Sequence, residues 1–447
     1  MGILVLSLLL MTTVFATSSF TNAATSDVWV APSVIGLDWT SPTWAASLPK
    51  YQVASAPQLA ASVANAEVLN IPATGEEAPA IGPSPPTGAD QIAASAGSPG
   101  ITVYGMWVTM LSNDQYNGAS VGYYGIVWGF FEVRRCDNNV VIGHGLTGAY
   151  GANAGKFSVA VVNPGTAKFK VWMTPWSTAG LVRTPTGTGG YGYATTTSCF
   201  GPYAEGASVN IGTWTPTASD TSTFRGAWMI YETITNDARN WGTWNFFANR
   251  LGSYGKVMPS VTVRFPYETW AHYHPGGEIH LPTMNDARSP DVIQHEYSHF
   301  AMYQTYGTSF TTYCPSPHYI NGVSHVNCAW SEGWASYVAY VTHSDKTYTY
   351  ANNFDVNEET PTWGTSGWSN GPAVEGRVTG ALMDLTDYQN EGVDLAQGLM
   401  FPLWWVFRYK GMNVNFHDFM ADYKSVYAYN TIIVLTLYQN TIYYTDL

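Results

Sequence analysis

The chain has 447 residues, a formal net charge of −13 and only 11% charged residues, against about 25% in a typical globular protein. That length can fold around two or three separate cores. An acidic chain without a basic block excludes nucleic-acid binding through phosphate neutralisation. Aromatic residues reach 15%, with 18 Trp and 30 Tyr, which fits a nearly neutral extracellular surface. A sharper reading is adaptation to acid, because few carboxylates leave little to lose on protonation.

Residues 3–16 form an apolar run too short to cross a bilayer, followed by small residues up to Ala23-Ala24. Residues 1–24 therefore read as a secretory signal peptide, although the usual positive n-region is missing. Residues 25–100 are rich in Ala, Pro, Ser and Gly, with Pro79, Pro83, Pro85, Pro86 and Pro99 close together. They read as a linker or a propeptide. From 101 to 215, apolar and polar residues alternate between turn signals. The clearest runs are 101–108, 129–134, 156–162 and 167–173. Short strands at this spacing predict an all-β sandwich, and the pattern resembles Ig-like and transthyretin-like modules. The four cysteines suit an exported protein with two disulfides, paired by region as Cys136 with Cys199 and Cys314 with Cys328.

Residues 216–447 read as α+β. Strands are predicted at 261–265 and 278–281, and the second is expected at a sheet edge, where an extended peptide could pair with it. The run 431–438 is too short to span a membrane and reads as a buried strand or helix. No other segment of the mature chain is long enough for an integral span.

The most informative segment is His295-Glu296-Tyr297-Ser298-His299. On a helix, residues four apart share a face, so His295 and His299 can bind one metal ion together. Glu296 lies about 100° round from His295, beside an open metal position. Two imidazoles suit Zn²⁺, and a carboxylate beside a zinc-activated water suits a general base. Ser289-Pro290-Asp291 supplies an N-cap, a first-turn proline and an acid at the positive helix end, and Gly307 a stop. A second helix is predicted at 329–340, with Ser331 as its cap and Glu332 as the third ligand. The remaining histidines default to surface or structural roles.

With these segments the chain resembles the gluzincin metallopeptidases, closest to secreted archaeal and bacterial HEYGH-type proteases and distantly like fungalysins. Gly376 to Asp387 is similar to a later helix of that group. The resemblance covers about residues 225–425 and implies a zincin-like catalytic domain over 216–447. It also implies Zn²⁺ held by His295, His299 and Glu332, with Glu296 as general base. One departure stands out. Those families place an aspartate four residues after the ligand glutamate to orient a ligand histidine, and here Ser336 occupies that position. Asp384 and Asp387 are candidates to take over its role.

The expected activity is a secreted zinc-dependent endopeptidase acting on a peptide or protein substrate; the Gly-x-Met-Glu-Asn segment of gluzincin aminopeptidases is absent. The oxyanion partner is expected among Arg377, His417, Tyr409 and Tyr423. The alternative is a catalytically weak or inactive metallopeptidase-fold binding protein of the cell surface, which rests on Ser336 alone. A glycosidase reading finds no distinctive pair of carboxylates.

Overall fold

Alternating burial turns the first part of the chain into paired strands, as in 156–162, where every other side chain is withdrawn from solvent. A computed structural model describes residues 100–111, 122–148, 154–175, 180–183, 193–216, 223–240, 261–274, 277–307, 314–315, 317–343, 346–350, 355–389 and 391–447. The expected signal peptide, and the expected linker apart from residue 100, lie outside the described residues.

Strand β1 (Gly100–Leu111) pairs antiparallel with β2 (Gly122–Gly125) and β5 (Lys156–Val162), and parallel with β9 (Ser208–Trp214). A second sheet runs β4 (Val141–Leu146), β3 (Phe130–Arg135), β6 (Phe169–Met173), β8 (Thr195–Thr196). Phe131 of β3 meets Phe157 of β5 with ring centroids 4.4 Å apart, so the two sheets share an apolar interior. Cys136 and Cys199 are disulfide-bonded at the end of β3.

A third sheet has the order β11 (His272–His274), β12 (Glu278–His280), β10 (Val261–Arg264), β7 (Gly180–Arg183). Strand β7 comes from the stretch read as the β module, yet pairs parallel with β10. Strand β12 has partners on both sides and is not an edge, contrary to the expectation from sequence. The chain turns back at Gly277, whose φ of 95° suits only glycine well, and lays β11 antiparallel along it. Among the described strands, β11 therefore ends the sheet on this side and β7 on the other. Helix α1 (Thr223–Asn240) ties these parts together. Its Trp228 Nε1–H donates to the Tyr193 carbonyl (3.1 Å) and its Tyr231 hydroxyl to the Val127 carbonyl (2.9 Å).

The helices that follow are α2 (Met284–Arg288), α3 (Pro290–Tyr306), α4 (Val326–His343), α5 (Glu375–Thr386), α6 (Met400–Tyr409), α7 (Phe416–Val426) and α8 (Thr431–Gln439). A small hairpin, β13 (Thr347–Thr349) with β14 (Asp355–Asn357), sits between α4 and α5. The apolar run at 431–438 thus resolves as a helix, capped by the Asn430 side chain. No described helix is long and apolar enough to cross a membrane.

Helix α4 is buried on several sides. Trp330 and Trp334, one turn apart, pack into an aromatic cluster with Trp404, Phe407, Phe416 and Phe419; Trp334 stacks on Phe407 at 4.1 Å. Gly333 lets α5 approach closely: a Cβ there would lie 2.8 Å from the Glu375 carbonyl oxygen. The remaining face of α4 meets α3.

Candidate metal centre

Helix α3 begins where its sequence says it should. The Ser289 side chain accepts from Val292 N–H, Pro290 occupies the first turn, and Gly307 ends the helix at φ 86°. Asp291 does more than face the helix end: it binds His343 Nδ1 (2.7 Å) and accepts from Thr349 N–H (2.9 Å), fastening α3 to α4 and β13. Helix α4 begins at Val326, earlier than expected. Ser331 is therefore not its cap; it lies inside the helix with its hydroxyl at His299.

Between α3 and α4 three side chains converge. His295 Nε2 lies 3.0 Å and His299 Nε2 3.2 Å from Glu332 Oε2, and the two imidazole nitrogens are 3.1 Å apart. Donors on a tetrahedral zinc with bonds of about 2.0–2.1 Å must sit roughly 3.3–3.4 Å from one another. The triad therefore has nearly the spacing of three corners of that tetrahedron, with the donor chemistry zinc favours. Each histidine also has a polar partner at its outer nitrogen. Ser336 Oγ is 3.3 Å from His295 Nδ1, and Ser331 Oγ is 3.3 Å from His299 Nδ1. With Nδ1–H donating to these hydroxyls, both Nε2 lone pairs face the same point, as a cation requires.

The three groups are coupled electrostatically. Burial alone would raise the Glu332 carboxyl, but the facing histidines outweigh it and hold it well below the ordinary carboxylate range. Burial lowers His299, yet the Glu332 charge and hydrogen bond raise it to about 9. Glu296 is buried and desolvation pushes its carboxyl up, opposed by His295 and His299. A base whose pKa is drawn toward neutrality is better suited to taking and returning a proton.

The loop before α4 brings in a residue that sequence spacing does not nominate. His318 has a ring nitrogen within 4.8 Å of the Glu332 carboxylate, and its Nδ1 is 2.7 Å from Glu375 Oε1. That hydrogen bond raises its pKa against the opposing effect of burial. About a third of its side chain is exposed, while Glu375 is buried. The Cys314–Cys328 disulfide crosses the same loop, with Cys314 Sγ 3.5 Å from Glu332 Oε1. Bonded to each other, these cysteines are not available as thiolate ligands.

Other candidates lie elsewhere. The Arg377 guanidinium is buried against the Ser369, Pro361 and Thr362 carbonyls. His417 pairs with Asp446 at 3.0 Å. Tyr423 packs on Tyr427, and Tyr409 on Trp405. Asp384 accepts from Asn440 (2.6 Å) and Asp387 lies near Lys346 (3.9 Å), so the histidine contacts belong to the serines.

Residues 260–439 match the family model described as the mycolysin C-terminal domain. The matched segment contains α3 and α4, which carry His295, His299 and Glu332, and covers less than half of the chain. At the coarse level this likeness supports a zinc metallopeptidase family and peptidase activity. No curated protein gives a significant match.

Proposed function

We propose that this chain is a secreted zinc-dependent endopeptidase, with His295, His299 and Glu332 as metal ligands and Glu296 as general base. The observation that carries the reading is the convergence of three donor atoms within 3.0–3.2 Å, on two helices, around one point. Bound there, zinc would supply Lewis acidity, lowering the pKa of water and polarising a carbonyl. Glu296 takes the proton as the water oxygen adds to the scissile carbonyl carbon. It returns that proton to the amide nitrogen as the C–N bond breaks. His318, held at Nδ1 by Glu375, donates from its other nitrogen to the developing oxyanion. An extended substrate pairs with β11 on the side away from β12.

The test is casein hydrolysis by the purified protein before and after removal of zinc with a chelator. Activity should vanish with the metal and return on addition of Zn²⁺. Hydrolysis indifferent to chelation would overturn the proposal. Bound zinc with no hydrolysis of casein would favour the inactive binding protein.

A further inference from the structure

A second donor triad stands on the third sheet and shares no residue with the first. Strand alternation divides the β11–β12 hairpin into two faces. Ile279 is buried on one, and Tyr273 on that side packs on Phe300 and Tyr303 of α3. His272, His274, Glu278 and His280 occupy the other, with His272 directly opposite His280 in register. Glu268, from the loop before β11, completes the group. Its Oε2 lies 3.2 Å from His272 Nε2 and 3.4 Å from His280 Nδ1. Its backbone sits at φ 64°, in the left-handed region that a glutamate rarely adopts.

The outer nitrogens decide what the inner ones can do. His272 Nδ1 is 3.2 Å from the Trp270 carbonyl, to which only an N–H can bond, so in the neutral ring that binds metal Nε2 carries the lone pair. His280 Nε2 is 3.5 Å from Glu278 Oε2, and Arg264 grips that same carboxylate with two nitrogens. A proton held there leaves the lone pair on Nδ1. His280 is 5% exposed, and its buried Nδ1 makes no hydrogen bond although Glu268 Oε2 lies 3.4 Å away. A buried acceptor without a donor is costly. Two imidazole lone pairs and a carboxylate oxygen, all within 4.8 Å of one another, form a donor set that suits a cation. A carbonyl and a carboxylate behind the two rings are the supports that metal-binding histidines usually have.

We infer that Glu268, His272 and His280 form a second binding site for a divalent metal of the zinc class, separate from the centre on α3 and α4. Two imidazoles and one carboxylate leave a fourth position for water. An ion there clamps β11, the terminal strand, to β12 and to the 265–271 loop. The inference stands whether or not the chain is a peptidase.

The test is a count of zinc. Full-length protein carrying Glu296→Gln, to prevent self-cleavage, is stripped with a chelator, titrated with Zn²⁺ alone, and read by calorimetry and elemental analysis after desalting. Two ions per chain are expected. His272→Ala and, separately, Glu268→Gln should each leave one. His295→Ala combined with His299→Ala should also leave one, and adding His272→Ala to that pair should leave none. Cooperative thermal unfolding shows that each variant is folded, and the ion remaining in the single variants is an internal check. A zinc count in folded His272→Ala and Glu268→Gln variants equal to that of the parent protein, or no zinc left in the His295→Ala/His299→Ala variant, would overturn the inference.

Discussion

No spacing rule nominates His318. It lies in a loop between two ligand-bearing helices, and its partner Glu375 is 57 positions away. Single histidines of this kind are mostly structural, and only the fold brings this one near Glu332. The pair His295 and His299 is legible for the opposite reason: helical geometry fixes both on one face within five residues. Ser336 was legible as a departure, but its contact with His295 and the matching contact of Ser331 with His299 depend on how α3 and α4 cross. If His318 stabilises the oxyanion, His318→Ala should lower kcat by about 10²–10³-fold. KM and zinc content should change little. Steady-state kinetics on a fluorogenic peptide checks this; an effect confined to KM, or loss of zinc, would make the residue structural.

At the scale of elements, the sequence reads best where capping chemistry is explicit. Ser289, Pro290 and Gly307 bracket α3 in both sequence and structure. Helix α4 lacks such punctuation at its start, and its first turn at Val326 hid within a segment that read as loop. The sequence does not reveal that β12 is flanked on both sides, because its hairpin partner, His272–His274, is only three residues long and carries no alternation to detect. Close helix approach is likewise invisible without the fold. A Cβ on Gly333 would lie 2.8 Å from both the Glu375 carbonyl oxygen and Val378 Cβ. Gly333→Ala should therefore push α4 from α5, costing about 1–3 kcal/mol of stability. Because Glu332 is the adjacent residue, zinc retention should weaken as well. Thermal unfolding with and without Zn²⁺ measures both effects; a variant as stable and as zinc-retentive as the parent would show that the helices have room.

Across the whole molecule, sparse charge does not mean that carboxylates are merely surface groups. Burial pushes Asp384 up to about 9 and Glu358 up to about 8, which composition alone could not locate. A change in periodicity marks a boundary near residue 215 in the sequence. Strand β7 crosses it, because backbone pairing with β10 follows spatial neighbourhood and leaves no mark in a four-residue segment. The start and stop of α3, by contrast, follow from local signals, and the central claim rests on its His295, Glu296 and His299. Glu296→Gln tests that claim most directly, with zinc content and peptide hydrolysis measured on the same preparation. If Glu296 moves the proton and binds no metal, zinc at the centre on α3 and α4 should be unchanged while kcat falls by about 10²–10⁴-fold. Near-normal hydrolysis, or loss of zinc along with activity, would contradict the assignment.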